Sequence, residues 1–181
     1  MWISVEDVTT SPSEVRFAEG AQELNRILSR DGEAEYRLAT SLQVSVTHMR
    51  SGEDLLFTGT IHGELTGRCA RCLEDYPLTL AREFSVVLVP QRAFGREMEL
   101  NREELSASFY SGQTIDVSVL VQEQTLLALP SRPLCHEECK GLCPECGANL
   151  NLTPCDCQPT WKDPRLAVLS TLRGSLSRVE K

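Results

Sequence analysis

Residues 55–72, LLFTGTIHGELTGRCARC, decide the fold because they join one long alternating segment to the first pair of cysteines. From Leu55 to Cys69 every second residue is apolar or glycine, and from Thr58 to Arg68 polar residues lie between them. Successive side chains of a β-strand point to opposite faces, so this pattern predicts a strand with one buried face. That face also carries three glycines, Gly59, Gly63 and Gly67. They predict a strongly bent or bulged strand, as at the corner of a small barrel.

The same alternation continues on both sides of this segment. It begins near Glu35, pauses at the turn residues Ser51-Gly52-Glu53-Asp54, and resumes between Pro77 and Val89. Three strands joined by short turns predict an antiparallel meander. The sequence therefore predicts an α+β fold, in which an antiparallel, strongly bent β-sheet or small partial barrel carries a few flanking helices and a cysteine-rich C-terminal segment.

Three short helices are expected beside the sheet. Residues 18–30 show helical spacing of apolar side chains, and Asp31-Gly32 ends that helix. Asp116 is a suitable N-cap for a second helix, which runs through Leu129 and is stopped by the following proline. Its inward face is predicted to carry Val117, Leu120, Val121, Gln124, Leu127 and Ala128. Asp163-Pro164 opens the last helix, with proline at its first position.

The composition divides the chain into three parts. Residues 1–130 are predicted to form a β-rich body with short helices, in which the polar stretch 90–112 is a solvated connection or short exposed helix. Residues 131–160, the cysteine segment, hold six cysteines and four prolines and have too little apolar material for a core of their own. We therefore expect this zinc-binding segment to pack on the body. Residues 161–181 are expected to form a C-terminal helix and basic tail.

Charge and hydropathy exclude several classes of protein. The 181 residues carry a formal charge of −8, and 41% of them are hydrophobic, an ordinary globular composition. No stretch approaches the roughly 18 apolar residues of a membrane helix, and the N-terminus does not resemble a secretory signal. We therefore expect a cytoplasmic protein with reduced thiols. The acidic balance disfavours strong nucleic-acid binding by this chain alone, because neutralising phosphates needs clustered Lys and Arg.

The eight cysteines are the clearest chemical signal in the sequence. They form four pairs, Cys69 and Cys72, Cys135 and Cys139, Cys143 and Cys146, and Cys155 and Cys157. Four thiolates around one ion make a structural zinc site. The turn Cys143-Pro144-Glu145-Cys146-Gly147 suits such a site, since proline fixes one backbone angle and glycine permits positive φ. We predict one or two structural Zn²⁺ ions held by these eight cysteines.

Four pairs can be combined into two four-thiolate sites in three ways. Closure of the shortest loop favours one site made by the pairs at 143/146 and 155/157. The pair at 135/139 would then join Cys69 and Cys72 and tie the cysteine segment to the sheet. The preference is modest, because closure entropy grows only logarithmically with loop length.

Other chemistries are less well supported by these residues. A redox pair at Cys69 and Cys72 would need the first cysteine at a helix N-terminus, but here the pair ends a predicted strand. An iron–sulfur cluster is a further alternative, and His136 could replace one thiolate ligand. A zinc hydrolase would need an open coordination position, which an all-cysteine site lacks. Neither a Gly-rich phosphate loop nor a G-x-S-x-G motif occurs, so no catalytic residue is predicted.

The cysteine motifs resemble those of a known family. The sequence PSRPLCHEECKGLCPECGANLN at 130–151 is followed by CDC at 155–157 and DPRLAVL at 163–169, and CARCLEDY precedes them at 69–76. Together these motifs resemble the bacterial YceD family of large ribosomal RNA subunit accumulation proteins, over roughly residues 44–172. The resemblance implies a role in accumulation of large-subunit ribosomal RNA, and thus in ribosome assembly, and implies no enzymatic activity.

Charge adds an expectation about partners. Two four-thiolate zinc sites would take the chain from −8 to −12, because each site adds two negative charges. We therefore expect a non-enzymatic factor that works with a large-subunit ribosomal RNA precursor or a basic ribosomal protein, without a membrane or a small-molecule substrate. A thiol redox or metal-responsive protein using Cys69 and Cys72 is the alternative.

Overall fold

The computed structural model describes residues 1–29, 34–91 and 108–157. Within these ranges the elements are β1 (Trp2–Ser4), a 3₁₀ turn (Val5–Asp7), β2 (Ser13–Glu19), α1 (Ala21–Leu28), β3 (Tyr36–Leu38), β4 (Leu42–Ser51), β5 (Asp54–Arg68), β6 (Asp75–Pro90), β7 (Ser108–Tyr110), β8 (Thr114–Asp116) and α2 (Val117–Ala128). Four predictions fall outside the described residues. They are the helix end at Asp31-Gly32, most of the connection over 90–112, the helix opening at Asp163-Pro164, and the basic tail.

One open, six-stranded sheet forms the body of the molecule. Its strands lie in the order β2-β4-β5-β6-β7, and β3 pairs with β5 beside β4. The pairs are antiparallel except for β6 and β7, which run parallel. A separate antiparallel pair is made by β1 and β8. The predicted meander is confirmed in β4, β5 and β6, but within the described residues the sheet is open and does not form the partial barrel offered as the alternative.

The strand predicted to run without a break from Tyr36 is two strands, β3 and β4, on the same edge of β5. Leu38 lies opposite Leu65, whereas Gln43 lies opposite His62. Four residues, 39–42, therefore lie between these two pairs on one side, and two residues, 63 and 64, lie between them on β5. Two extra residues leave every later side chain on its original face, since the side-chain period of a strand is two. The alternation of apolar and polar residues therefore continues unchanged from β3 into β4, and it cannot show that the strand is interrupted there.

The glycines of β5 make room for large side chains on neighbouring strands. Gly59 lies opposite Phe84, and a Cβ added there would lie 2.9 Å from Phe84 Cζ and would collide with the backbone oxygen of Ser45. Gly67 lies opposite Tyr76, whose Cζ would be 2.9 Å from an added Cβ. The ladder between β5 and β6 has no interruption. No bulge therefore lies between β5 and β6, and close packing accounts for Gly59 and Gly67.

The core lies between one face of the sheet and the two helices. Its buried members include Phe57, Ile61 and Leu65 of β5, Leu24 of α1 and Val121 of α2. Ile3 of β1 and Ile115 of β8 belong to the same cluster. Burying this continuous apolar face is the main driving force for the fold. The first cysteines follow directly after the C-terminal end of β5.

The two described helices were predicted with different success. Asp116 caps α2 as predicted, because its carboxylate accepts a hydrogen bond from Ser118 N at 3.0 Å. Leu127, predicted to face inward, is 72% exposed, and Thr125 is buried instead. The helix predicted over 18–30 is shorter, α1, because its first two residues complete strand β2. The sequence did not predict β2, which pairs with β4.

Candidate metal centres

The structure brings the eight cysteines together in two groups of four. Cluster 1 contains Cys69, Cys72, Cys135 and Cys139, and cluster 2 contains Cys143, Cys146, Cys155 and Cys157. Within each cluster the sulfur atoms all lie within 4.8 Å of one another. Of the three possible combinations of pairs, this is the one that closes the shortest loop.

The sulfur spacing in cluster 1 fits a tetrahedral ion. Cys69 Sγ lies 3.8 Å from Cys139 Sγ, and Cys72 Sγ lies 3.7 Å from Cys135 Sγ. Four sulfurs placed about 2.3 Å from a central ion are about 3.8 Å apart. A disulfide would need a separation of about 2.05 Å, and all eight cysteines are free thiols. An all-sulfur site of this kind is closed to water and would be structural.

Each cluster is built on the same backbone turn, which we call a knuckle. In knuckle 1, residues 69–74, Leu73 N donates to Cys69 O at 2.9 Å and Cys69 N donates to Glu74 O at 2.9 Å. In knuckle 2, residues 143–148, Gly147 N donates to Cys143 O at 2.9 Å and Cys143 N donates to Ala148 O at 2.8 Å. The matching hydrogen bonds show that one local structure places two thiols on one side of the chain in both regions.

Both knuckles need a left-handed residue after their second cysteine. Gly147 has φ 73° there, as the sequence predicted, and Leu73 has φ 62°. Leu73 is the one non-glycine residue with positive φ among those the structure describes, and its side chain is 51% exposed. Arg68 Nε donates to the carbonyl oxygen of Leu73 at 3.3 Å, which helps to hold this unfavourable conformation.

Backbone donors stabilise the thiolate of the first cysteine in each knuckle. Burial raises the pKa of Cys69, but hydrogen bonds from the backbone N–H groups of Cys72, Cys135 and Arg71 outweigh it and lower the pKa to about 6. The backbone N–H groups of Cys146 and Glu145 lower the pKa of Cys143 to about 6 as well. Such N–H···S contacts are typical of the surroundings of metal-bound thiolates.

The remaining thiols show the cost of packing four acidic groups together. Burial, followed by the neighbouring thiols, raises the pKa of Cys135 to about 12. In cluster 2 the hydrogen bond with Cys146, followed by burial, raises the pKa of Cys157 to about 12. Burial also raises the pKa of Cys139, but hydrogen bonds from the Asn151 side chain and the Gly141 backbone outweigh it and lower that pKa. Each cluster thus combines thiols that ionise more readily than a free cysteine with thiols that resist ionisation. A divalent ion would supply the charge that lets all four ionise.

Cluster 1 joins two parts of the chain, because it takes two cysteines from each. Beside it, Ala70 N donates to Pro133 O at 2.8 Å and Leu142 N donates to Arg71 O at 3.1 Å. Arg71 Nη1 donates in turn to the carbonyl oxygen of Cys139 at 2.7 Å. Cluster 2 takes all four of its cysteines from residues 143–157, and Cys146 and Cys157 are exposed.

Two residues of the site were missed by the sequence reasoning. The side chain of Arg71 holds the loop of Cys139, but its position inside the first cysteine pair indicated only a turn. Asn151 Nδ2 lies 3.3 Å from Cys139 Sγ. Its signal was the pair of asparagines inside a cysteine loop, since Asn side chains favour local backbone hydrogen bonds. His136 lies beside cluster 1, with Nδ1 3.2 Å from Cys135 Sγ, and is not one of its four members.

These features define a class: a sheet protein with two four-cysteine groups, each of which could bind a metal ion. A family model described as large ribosomal RNA subunit accumulation protein YceD matches residues 57–173, which include all eight cysteines. The chain belongs to the YceD family. Across the described ranges, neither helix has the length and apolar character required to cross a membrane.

Several curated proteins are similar to this chain. The large ribosomal RNA subunit accumulation protein YCED homolog 1, chloroplastic, of Arabidopsis thaliana is 27% identical over 169 residues, covering 81% of this chain and 53% of that protein. An uncharacterized protein of Mycobacterium tuberculosis is 32% identical over 123 residues, covering 67% of this chain and 57% of its own. The chain thus spans about half the length of these relatives. No solved structure matches it.

Proposed function

We propose that this protein is a non-enzymatic factor that supports accumulation of large-subunit ribosomal RNA and assembly of the large ribosomal subunit. The observation that carries the proposal is the family match over residues 57–173, which spans most of β5, both knuckles and both clusters. The printed name of the plant relative assigns large-subunit ribosomal RNA accumulation to that protein. Large-subunit assembly in the cytoplasm is the setting that this proposal implies.

The proposed cofactor is structural zinc, one ion in each cluster. The support is the donor set, which is four sulfurs in each case, and the 3.7 and 3.8 Å separations in cluster 1. When bound, the ion would neutralise thiolates and fix their positions. The absence of an open position in an all-thiolate site supports a role without turnover.

The proposed organisation keeps three parts: a body at 1–130, the cysteine segment at 131–160, and a helix with a basic tail at 161–181. Cluster 1 would fasten the second part to the first, since it draws on knuckle 1 at the end of β5 and on Cys135 and Cys139. Tyr36 of β3 adds a contact by donating to Pro130 O at 2.5 Å. The segment would thereby acquire the fixed position that its own composition cannot provide.

The proposed partner is a large-subunit ribosomal RNA precursor or a basic ribosomal protein. The charge of −8, which two four-thiolate zinc sites would make −12, favours a basic partner on electrostatic grounds. Contact with RNA would fall to the tail after residue 157, which carries a net charge of +3. Recovery of the tagged protein with large-subunit components, before and after ribonuclease treatment, separates a direct protein partner from an RNA-mediated one.

The test of the function is depletion and complementation in the source cell. Depletion should lower large-subunit relative to small-subunit ribosomal RNA, and the unchanged gene should restore the ratio. Cys72→Ser should fail to restore it, because it removes a ligand of cluster 1, whereas Ser85→Ala on an exposed position of β6 should restore it fully. An unchanged ratio after depletion would overturn the proposal.

A redox role at Cys69 and Cys72 is the second candidate, and the lowered pKa of Cys69 is the observation that favours it. Against it, Cys69 is fully buried and Cys72 is 3% exposed, whereas reactive thiols need access to their oxidant. Peroxide treatment of the metal-loaded protein should leave both thiols reduced. A reversible disulfide between them would favour the redox role.

A further inference from the structure

One side chain connects the two cysteine clusters. Asn151 lies between Cys146 and Cys155, in the loop that cluster 2 closes. Its side chain nevertheless points to cluster 1, where Nδ2 donates to Cys139 Sγ at 3.3 Å. A residue of one loop thus supports a sulfur ligand of the other site.

The orientation of Asn151 is fixed by its other hydrogen bonds. Its Oδ1 accepts from Lys140 N at 2.8 Å, so the opposite side of the amide, Nδ2, must be the donor toward sulfur. Its backbone N and its Nδ2 both donate to Asn149 Oδ1, at 3.0 and 2.9 Å. The amide therefore cannot rotate away from Cys139 without losing contacts at both ends.

The loop that carries Asn151 depends on knuckle 2. Leu142 and Asn149 form an isolated antiparallel bridge, and Leu150 N donates to Gly141 O at 2.9 Å. These bonds follow directly on the pair between Cys143 N and Ala148 O. An ion in cluster 2 would hold Cys143 and Cys146 on one side of this loop and Cys155 on the other, and so would fix the position of Asn151.

We propose that Asn151 is a positioning residue that couples the two metal sites, so that a divalent metal ion in either cluster raises the affinity of the other. The inference rests on the metal binding in the proposed function. A donor to a ligand sulfur stabilises the thiolate that the ion requires. When cluster 2 binds an ion, the loop that carries Asn151 loses its conformational freedom. Binding of a second ion at cluster 1 then no longer has to order that loop in order to place the donor. Thermodynamic linkage makes the effect equal in both directions.

The test is a cobalt titration of the metal-free full chain, with zinc competition to obtain affinities. Removing one such supporting contact should weaken metal binding at cluster 1 by about tenfold, within the range of 10–100-fold known for groups around metal ligands. Cys146→Ser, which disables cluster 2, and Asn151→Ala should each produce this loss. The double variant should lose little more than either single one, since both changes interrupt one connection. Leu152→Ala, in the same loop and 76% exposed, is the control and should leave the affinity unchanged.

Two results would overturn the coupling. One is an unchanged cluster 1 affinity in Cys146→Ser, and the other is full additivity in the double variant. Native mass spectrometry of the unaltered chain is an independent measurement that needs no variant to fold. Coupled sites should leave fewer one-metal molecules than independent sites at half saturation, and a statistical distribution would contradict the coupling.

The outcomes separate this inference from the proposed function. Two ions bound independently would overturn the coupling and leave the role in ribosomal RNA accumulation standing. Coupled sites in a protein whose depletion leaves large-subunit ribosomal RNA unchanged would retain the coupling and overturn that role.

Discussion

Knuckle 1 and knuckle 2 share a backbone structure and differ in what surrounds it. In both, the first cysteine accepts a hydrogen bond from the residue four positions later and donates to the residue five positions later. Knuckle 1 joins β5 to β6, and the other two cysteines of its cluster lie more than sixty positions further along the chain. The other two cysteines of cluster 2 lie only 9 to 14 positions after those of knuckle 2. The comparison teaches that the turn sets ligand geometry, and that the origin of the remaining ligands decides what the site holds together.

The largest difference between the knuckles should appear at their second cysteines. Cys72→Ser removes a buried ligand that connects the sheet to residues 131–157. We expect it to abolish one bound metal and to lower the free energy of unfolding by about 3 kcal/mol or more, since loss of a structural metal exceeds an ordinary substitution. Urea unfolding followed by fluorescence, with elemental analysis of bound metal, measures both. If the variant were as stable as the unaltered protein, cluster 1 would not hold residues 131–157 to the sheet.

The equivalent change in knuckle 2 should have a local effect. Cys146→Ser, or Cys143→Ser, is expected to release about one metal and to increase hydrogen exchange in residues 131–157 while strands β3 to β6 stay protected. The reason is that cluster 2 takes no ligand from the sheet. Exchange measured by mass spectrometry on matched peptides gives the answer. Full metal retention in both variants would contradict the assignment of these ligands.

Two glycines with nearly equal φ sharpen the comparison further. Gly147 in knuckle 2 has φ 73° and nothing within 4 Å of an added Cβ, so Gly147→Ala should cost about 1 kcal/mol for backbone strain alone. Gly141 has φ 75°, and its added Cβ would lie 3.0 Å from the carbonyl oxygen of Arg71 in knuckle 1. Gly141→Ala should therefore cost about 2–3 kcal/mol. If thermal unfolding showed the same loss of stability for both variants, the close approach of Gly141 to Arg71 would add nothing to the cost of the substitution.

The smallest effect is expected from Leu73, the residue that takes the place of Gly147 in knuckle 1. Leu73→Gly should raise the free energy of unfolding by about 0.5–1 kcal/mol, because relief of the left-handed conformation exceeds the entropy that glycine adds to the unfolded chain. Leu73→Ala keeps the Cβ and is the control, with no gain expected. A loss of stability in the glycine variant would mean that the leucine side chain packs more than its exposure indicates.

Local signals in the sequence predicted the parts of this molecule that depend on neighbouring residues. The carboxylate of Asp116 caps its helix by accepting a hydrogen bond from a backbone N–H two residues away. The alternation from Leu55 to Cys69 shows directly which face of the strand is buried. The spacing of Cys143 and Cys146 implied a turn, and loop length favoured the observed grouping. Each of these signals acts over a few residues or follows from chain connectivity.

The features that escaped prediction depend on residues far apart in the chain. Strand β2 turns Val15, Phe17 and Glu19 inward, and with a charged residue at the third of these positions the sequence carries only a weak strand signal. The strand is fixed by pairing with β4. The left-handed Leu73 is tolerated because the surrounding turn and Arg68 hold it. Asn151 acquires its role only when Cys139 is brought beside it. The glycines of β5 face large side chains on neighbouring strands, and the sequence of β5 alone does not show this packing.

The break between β3 and β4 has a consequence for how this architecture can vary. Residues 39–41 could lengthen or shorten in pairs without turning any core side chain toward water, while a change of one residue would invert all of β3. Each such step would slide Tyr36 along β5 and carry its hydroxyl toward or away from Pro130. A change of two residues in this connection could therefore alter how the cysteine segment is attached to the sheet while the residues of the core stay the same.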